Sequence, residues 1–377
     1  MWNPWYLKRI DLRVLPVILS LMVISLLVIS SYTTENYDGS EESFFTAQVI
    51  NQLKWFALGW CVYLFFAGFD YNKLREWAWI LYLLIVLALI GLYFTPTIRG
   101  VHRWYKMPLL NFYVQPSEIA KLGVVFALSW FLERKVGASR QWKTTLLSGL
   151  IVGIPFILIL FQPDLDTALV LYPVTLGIFY FGDVHPFLVR AMAIAGVIGL
   201  VVTMLLLLDV LPHDDLRPYA TLFLKDYQYE RFNPQTHHQS AALTSISVGG
   251  LTGQGWRMST YAGRGWLPAT HTDSVFSAFG EEFGFLGLLL LIILFYTLIS
   301  FGFQVTAIAK DYFGRLLSAG ITVYLAVHVL INMGMMLGFL PVTGVPLILV
   351  TYGGSSLLAT MAALGILQSI YSRRFMF

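Results

Sequence analysis

A carboxylate stands at the entrance of a long apolar run in the last third of the chain. The stretch from Gly253 to Gly287 begins as a loop rich in glycine, tryptophan and polar residues, then passes through His271, Thr272 and Asp273 into that run. An ionisable group at the mouth of a membrane helix is poorly solvated and is a functional candidate by default. The alternative for Asp273 is a structural first-turn charge, which the helix dipole favours.

Two further acids, Glu281 and Glu282, follow Asp273 in the same run. In one continuous helix, a rise of about 1.5 Å per residue places Glu281 roughly 12 Å from Asp273 and about 80° around the axis. The pattern therefore predicts one helix that carries an acid at its rim and two more at greater depth. The alternative for the deeper acids is a purely structural pair.

Two cationic side chains occur earlier, in the string GVHRW that ends at Trp104 and the string QPSEIAK that runs from Gln115 to Lys121. Glu118 lies three residues before Lys121, close enough on a helix to pair with it. Such a pair inside a membrane is costly unless it faces a protein cavity. In the functional interpretation, Arg103 grips phosphate oxygens through its planar fork and Lys121 acts as a point charge. The alternative is a structural ion pair that closes two helices together.

Two acids, Asp164 and Asp166, occupy a very short turn between apolar runs in the string QPDLDT. A functional acid and a helix cap are both open interpretations, since aspartate caps helices well. A further polar set follows in the next long loop: Gln228, Arg231, Gln239 and Ser240. By themselves these residues have turn chemistry and carry little weight.

Prolines and glycines interrupt the last apolar region, in the string GFLPVTGVP ending at Pro346 and the string YGGSS ending at Ser356. This density of proline and glycine breaks a helix, and free backbone at membrane depth is tolerated only where it lines protein or a cavity. The freed amides and the hydroxyls of Ser355 and Ser356 are therefore available to line a polar recess. A plain re-entrant packing turn is the alternative.

The composition is that of an integral membrane protein. Of the 377 residues 57% are hydrophobic and 12% are charged, and the mean hydropathy is +0.71. A soluble domain is nearer to about 25% charged. The net charge of +3 gives no reason to expect a nucleic-acid partner. The lone cysteine, Cys61, permits no intramolecular disulfide. The first apolar run is too long for a cleavable signal, so we expect it to remain as an anchor.

The apolar runs predict an all-α polytopic membrane protein with about ten transmembrane helices in a single domain, residues 1–377. A hydrocarbon core of about 30 Å needs roughly 20 residues per helix. The predicted spans lie at 14–32, 53–69, 77–95, 117–133, 145–161, 167–182, 187–209, 274–302, 314–338 and 346–370. Basic residues precede the first span, follow the last and fill alternate loops, which under the positive-inside rule places both termini in the cytoplasm.

Two outer loops depart from this pattern. Between the third and fourth spans, Arg99, His102, Arg103 and Lys106 keep positive charge on the outer side, for which an anionic ligand is a good reason. Between helices 7 and 8, residues from about 210 to 273 form the longest, extracytoplasmic loop. Loops of this length are usually functional or disordered. Its aromatic residues predict that it folds onto the membrane surface.

Taken together, these strings resemble the SEDS family of shape, elongation, division and sporulation proteins, and in particular its RodA branch. The resemblance rests on QPSEIAK, QPDLDTALV, LPATHTDSVFSAFGEEFGFLG and GFLPVTGVPLILVTYGGSS, and it covers essentially the whole chain. It implies a ten-helix peptidoglycan glycosyltransferase that polymerises lipid II on the outer face of the bacterial cytoplasmic membrane, for elongation and rod shape. The partners it implies are a class B penicillin-binding protein and other membrane proteins of the elongation complex. The short segment before the first span favours elongation over division.

The resemblance also assigns residues. The family's essential aspartate falls on Asp273. The substrate-binding residues it implies are Arg103, Trp104, Gln115, Glu118, Lys121, Asp164, Gln228, Arg231, Gln239, Ser240, His271 and Ser355. Structural support is expected from Glu281, Pro341, Gly344, Pro346, Gly353 and Gly354. The sequence departs from the family, which usually has glycine at the position of Asp166, and the departure concerns the shape of that turn rather than the activity.

On this basis we expect Asp273 to be the general base that takes the proton of the acceptor's 4-hydroxyl as it attacks the donor's anomeric carbon. Arg103 and Lys121 would stabilise the leaving undecaprenyl diphosphate. A divalent cation, Mg²⁺ or Mn²⁺, is an open candidate for assisting them.

Four alternatives to this function remain open at the level of sequence. One is a lipid II flippase, because buried charges and broken helices also mark transporters. The others are a division-type SEDS polymerase, an O-antigen-type polymerase or ligase, and a non-catalytic scaffold for the penicillin-binding protein.

Overall fold

The computed structural model describes residues 2–33, 43–96, 101–107, 112–221, 225–233 and 236–374, so Arg99 of the basic outer loop lies outside the described residues. The α-helices within these ranges are α1 Val14–Tyr32, α2 Ala47–Gly68, α3 Tyr71–Gly91, α4 Pro116–Glu133, α5 Trp142–Phe161, α6 Leu165–Phe181, α7 Pro186–Leu207, α8 His213–Ala220, α9 Asp226–Tyr229, α10 His237–Gly249, α11 Val275–Ile308, α12 Tyr312–Met336 and α13 Gly354–Ser372. Two short strands, β1 Tyr105–Met107 and β2 Phe112–Val114, pair antiparallel between α3 and α4.

The ten long helices among those described correspond one to one to the predicted spans, so the polytopic α-helical fold is confirmed. Eight of them are long and apolar enough to cross a membrane. Of the other two, α6 is apolar but has 17 residues, and α4 carries Glu118, Lys121 and Glu133 within its 18 residues. Because successive crossings alternate in direction, the segments before α2, α4, α6, α11 and α13 share the side opposite the N-terminus. The β1–β2 hairpin on that side was not predicted.

The tenth span was predicted to begin at residue 346, and this is wrong, because α13 begins at Gly354. Pro341 and Pro346 lack the backbone N–H that a helix needs, so the chain from 337 to 353 runs irregularly through the protein interior. Other residues supply its partners: the Asn332 side chain donates to the Val345 carbonyl over 2.8 Å, and the Tyr352 N–H donates to the His271 carbonyl over 2.9 Å. Buried backbone of this kind is tolerated only when it is paired in this way.

Helix α11 is broken at Gly284, where φ is 64° and ψ is −166°. The chain from 249 to 255 enters the gap and pairs with the helix backbone on both sides of the break. The N–H groups of Gln254 and Gly255 donate to carbonyls of the first half over 3.0 and 2.9 Å, and Phe285 in the second half donates to the Gly250 carbonyl over 2.9 Å. The long outer loop is thereby fixed to the break in α11 at Gly284.

The prediction of one continuous helix carrying all three acids is also wrong. Helix α11 begins at Val275 with Ser274 as its N-cap, so Asp273 lies in the preceding turn. The described part of the long outer loop is folded: α10 packs against the first half of α11, where the Ser245 hydroxyl donates to the Ser277 carbonyl over 3.2 Å. Its location on the membrane surface stays a prediction.

Burial by protein differs strongly between the membrane helices. In α12, 72% of the most apolar 18-residue window is buried, whereas in α7 none of that window is. Helix α12 therefore forms part of the centre, packed against α4, α6 and α11, and α7 lies at the periphery, beside α6.

Candidate active site

An open cavity of about 1050 Å³ lies where the segments before α2, α4, α6, α11 and α13 converge. Its wall combines residues of the irregular 337–353 segment with residues from the other four regions. The charged residues that line it are Lys54, Arg103, Glu118, Lys121, Asp166, Arg231 and Asp273. This set of four cations and three carboxylates, drawn from the described residues, makes the cavity the principal candidate for a site that handles an anionic substrate.

Asp273 lies at the wall of this cavity, in the turn that leads into α11. Its backbone carbonyl accepts a hydrogen bond from the Asn332 side chain over 3.0 Å, and the preceding carbonyl, of Thr272, accepts one from the Thr351 hydroxyl over 3.0 Å. Burial and then the Asp166 carboxylate raise the pKa of Asp273 to about 6, while Arg231 acts in the opposite direction. Asp273 is thus mostly ionised at neutral pH yet more basic than an ordinary aspartate, as a general base should be.

A second carboxylate, that of Asp166, faces Asp273. A Cβ built on Gly344 would lie 3.4 Å from Asp166 Oδ2 and 3.5 Å from Asp273 Oδ2, so the two carboxylates converge on this glycine. Asp166 is also held by two guanidinium groups: Arg231 Nη1 lies 3.0 Å from its Oδ1, and Arg103 Nη1 lies 3.8 Å from its Oδ2. The sequence offered Asp166 only as one of two acids in a short turn.

The guanidinium of Arg103 is largely occupied by the α5–α6 turn. Its Nε donates to the Gln162 carbonyl over 3.2 Å, and its Nη2 donates to the Pro163 carbonyl. The bidentate phosphate fork expected for Arg103 is therefore not free in this structure, because two of its donors are already used. Arg103 contributes positive charge to the cavity chiefly through Nη1, beside Asp166.

The expected ion pair in α4 is confirmed, with Lys121 Nζ 2.8 Å from Glu118 Oε1. The structure adds a residue that sequence reasoning missed: Lys121 Nζ also lies 3.0 Å from Nε2 of His328, which is fully buried in α12. An ammonium group has no acceptor, so this nitrogen of His328 accepts and the ring is neutral. The only signal for His328 in the sequence is a lone histidine in an apolar run.

The irregular segment contributes wall residues, as the interpretation of a polar recess expects. Gly344, Pro346, Gly353, Gly354 and Ser355 all line the cavity, and the Ser355 hydroxyl donates to the Tyr113 carbonyl over 3.1 Å. Pro341 is buried and does not line it. Trp104 and Gln115 also lie at the wall.

Three residues predicted to bind substrate instead support local structure. Asp164 is the N-cap of α6, is 1% exposed and accepts hydrogen bonds from Ser117, Gln115 and Thr167, as the helix-cap alternative proposed. Gln228 is buried and accepts from the N–H of Lys225, the N-cap of α9. The Ser240 hydroxyl donates to carbonyls of its own helix.

Gln239 and His271 do not line the cavity either. Gln239 is 4% exposed and lies beside Gly338. His271 packs its ring edge-on against Tyr352, and its burial lowers its pKa. These assignments depended on positions in family strings, and the strings do not specify which way a side chain points.

Glu281 and Glu282 separate into two anchoring sites away from the cavity. Glu281 is fully buried and accepts the backbone N–H groups of Tyr261 and Ala262 over 2.7 and 2.9 Å, together with the Ser245 hydroxyl over 2.8 Å. Glu282 accepts from the Ser31 hydroxyl in α1 and from the N–H of Arg257. Both tie the long loop to the membrane helices, and this geometry matches the supporting role expected for Glu281.

Sequence reasoning also missed the contribution of α2 to the cavity. Asn51, Lys54 and Trp55 line it from the first turns of that helix. The sequence did not indicate this role for Lys54, because a single lysine near the end of an apolar run is a common interfacial anchor.

Comparison with known proteins identifies the family. The family model described as cell cycle protein, FtsW/RodA/SpoVE, matches residues 12–374. The chain belongs to this family. It is the SEDS family that the sequence strings resemble.

Relatives and solved structures agree with this membership. The chain is 31% identical over 371 residues to the peptidoglycan glycosyltransferase MrdB of Escherichia coli K12, with 98% of this chain and 95% of MrdB covered. It is 31% identical over 324 residues to a probable peptidoglycan glycosyltransferase FtsW of Geobacter metallireducens, with 81% and 79% covered. The chain is accordingly an enzyme, a glycosyltransferase.

The fold recurs in solved structures. A chain in a structure described as the structural coordination of polymerization and crosslinking by a peptidoglycan synthase complex matches with a TM-score of 0.76 and 26% identity, covering 98% of this chain and 99% of that one. RodA of Thermus thermophilus matches with a TM-score of 0.70 and 24% identity, covering 98% of each chain. The second likeness concerns the fold alone.

Proposed function

We propose that the chain is a peptidoglycan glycosyltransferase that polymerises lipid II into glycan strands. The observation that carries this proposal is the convergence of Asp273 with four cations, from Lys54, Arg103, Lys121 and Arg231, on one cavity. Transfer from a lipid diphosphate sugar requires a base for the attacking hydroxyl and positive charge for the leaving diphosphate. The activity in the names of the MrdB and FtsW relatives supports the same substrate class.

In the proposed reaction Asp273 takes the proton of the acceptor's 4-hydroxyl as that oxygen bonds to the donor's anomeric carbon. The bond from the anomeric carbon to the diphosphate oxygen breaks, and the diphosphate leaves with the electron pair. Lys54, Lys121 and Arg231 stabilise the developing charge. Glu118 orients Lys121, since it already accepts a hydrogen bond from Nζ. The undecaprenyl tails lie between helices, open to the bilayer.

A divalent cation, Mg²⁺ or Mn²⁺, enters this proposal only as a companion of the substrate diphosphate. Among the described residues no group of three or more His, Cys, Asp or Glu side chains is arranged to hold a metal ion. The described side chains therefore provide no three-ligand site for a resident metal ion.

We propose that the enzyme works in the bacterial cytoplasmic membrane, with both termini cytoplasmic and the cavity on the outer face. The distribution of basic loops supports this orientation. The fuller coverage by MrdB than by FtsW supports a role in elongation rather than division. A class B penicillin-binding protein is the proposed partner, alongside other elongation-complex proteins. The solved complex in which polymerization and crosslinking are coordinated supports this pairing.

The test is a polymerisation assay with the purified protein in detergent. Labelled lipid II is supplied with and without the cognate class B penicillin-binding protein, and the products are separated on a gel. We expect a ladder of glycan strands from the wild type and none from Asp273→Ala. Asp214→Ala is the matched control, because Asp214 is 94% exposed in α8, and it should retain the ladder.

Two outcomes would overturn the proposal. A ladder from folded Asp273→Ala would remove the base assignment. No ladder from the wild type with or without its partner, together with lipid II movement across liposomes, would favour the flippase alternative.

A further inference from the structure

Asp166 is a cavity carboxylate that contacts two arginines and also faces the proposed base. Its side chain is 22% exposed, so it is neither fully solvated nor sealed in the core. It lies in the first turn of α6, whose N-cap, Asp164, is a different residue and is fully used in capping. Asp166 is therefore not needed to cap that helix, and its orientation toward the cavity calls for another explanation.

A carboxylate and a guanidinium group lie near Asp273, the proposed base. The Asp166 carboxylate approaches Asp273 at Gly344, and Arg231 is the cation that opposes its effect. Arg231 Nη1 is itself shared between Asp166 Oδ1 and the Thr343 carbonyl, each 3.0 Å away. Asn332, from the helix packed behind the turn, contacts Asp273 through its backbone carbonyl and also donates to the Val345 carbonyl. The other titratable groups that line the cavity are Lys54, Arg103, Tyr113, Glu118, Lys121 and Tyr352.

We propose that Asp166 is a positioning residue for glycosyl transfer: it holds Arg231 away from Asp273 and keeps a carboxylate beside that base. This rests on the proposed function. A carboxylate next to a base makes protonation of the base easier, and a guanidinium makes it harder. By binding the guanidinium, Asp166 prevents Arg231 from pairing with Asp273 directly. An Asp273 paired with Arg231 would be a weaker base and less free to reach the acceptor hydroxyl.

The contact between Asp166 and Arg231 is one that an incoming substrate can displace. A diphosphate that enters the cavity competes with Asp166 for Arg231 and Arg103. Guanidinium groups bind carboxylate and phosphate with similar geometry. Asp166 thus holds Arg231 in place until the diphosphate binds it.

The decisive variant is Asp166→Asn, which removes the charge and keeps the shape. Its side-chain oxygen can still accept from Arg231, so folding should be preserved. The protonation of Asp273 is followed by infrared difference spectroscopy of the carboxylic acid stretch, assigned by its loss in Asp273→Asn. In Asp166→Asn, we expect the pH midpoint of Asp273 protonation to move toward lower pH by on the order of one unit. Arg231→Gln should move it toward higher pH, and Asp166→Glu should leave it near the wild-type value.

The decline of the polymerisation rate at low pH is measured in parallel on the same variants. The pH midpoint of that decline should shift in the same direction as the infrared midpoint. A purely structural role for Asp166 would lower the rate at every pH without moving either midpoint, and that result would overturn the inference. A moved infrared midpoint in a protein that makes no glycan would instead refute the proposed function while the electrostatic role stands. The two failures are therefore distinguishable.

Discussion

Replacing Gly253 by alanine should loosen the attachment of the long outer loop to the break in α11. Gly253 has a φ of 82°, and a Cβ at this position would overlap the Glu282 carbonyl oxygen and lie 2.6 Å from the Phe283 Cα. Both obstacles are backbone atoms, so no side chain can rotate away to make room. The loop must withdraw from the helix.

The size of the effect follows from two contributions. A residue with a Cβ costs roughly 1–2 kcal/mol in the left-handed region. Withdrawal also breaks the hydrogen bonds from Gln254 and Gly255 to α11, each worth about 1 kcal/mol. Gly253→Ala should therefore lower the free energy of unfolding by about 3–4 kcal/mol. Gly265→Ala is the matched control, because Gly265 has a φ of 77° and an added methyl group would meet no atom of the described residues within 4 Å. This control should cost only about 1–2 kcal/mol.

The free energy of unfolding is measured by SDS titration of each purified variant in mixed micelles. Equal losses for Gly253→Ala and Gly265→Ala would refute the reasoning, because they would show that the close approach to α11 contributes nothing beyond the backbone conformation. A loss for both below about 1 kcal/mol would show that neither position is held in the left-handed region.

Two further predictions concern the carboxylates. Glycan synthesis by the wild type should fall about tenfold from pH 7 to pH 5, since protonation of Asp273 below its pKa of about 6 removes the base; full activity at pH 5 would contradict this. Glu281→Gln should lower the free energy of unfolding by about 1–3 kcal/mol, because both carboxylate oxygens accept backbone N–H groups and an amide nitrogen would face one of those donors. The same SDS titration measures this free energy of unfolding. The glycan synthesis per folded molecule of Glu281→Gln should persist. Loss of that synthesis in folded Glu281→Gln would instead assign Glu281 a role in the reaction.

The parts of the fold that sequence predicted depend on local rules. Apolar length located ten helices, because each must cover the same membrane thickness. The pairing of Glu118 with Lys121 followed from helical spacing, since residues three apart are neighbours on a helix. Both rules need only nearby residues, and both predictions are confirmed.

The parts that sequence did not predict depend on contacts between distant segments. The break in α11 at Gly284 exists because the 249–255 chain supplies its partners, and the sequence around Gly284 does not reveal that distant segment. Asp166 and Asp273 meet beside Gly344 of the 337–353 segment, and no local pattern specifies that proximity. Gln239 was expected to bind substrate because of the family resemblance, but a helix turns successive side chains in different directions.

Helix α7 contacts protein mainly along α6, and none of its apolar window is buried, so most of its surface is left for lipid. Its 22 residues extend about 33 Å at 1.5 Å per residue, so a thinner membrane would tilt it. Tilting would displace the start of α8 and, further along the same loop, the segment that carries Arg231 to the cavity. Lipid chain length thereby becomes a physical variable of this enzyme, able to change the geometry of the site without any change in sequence.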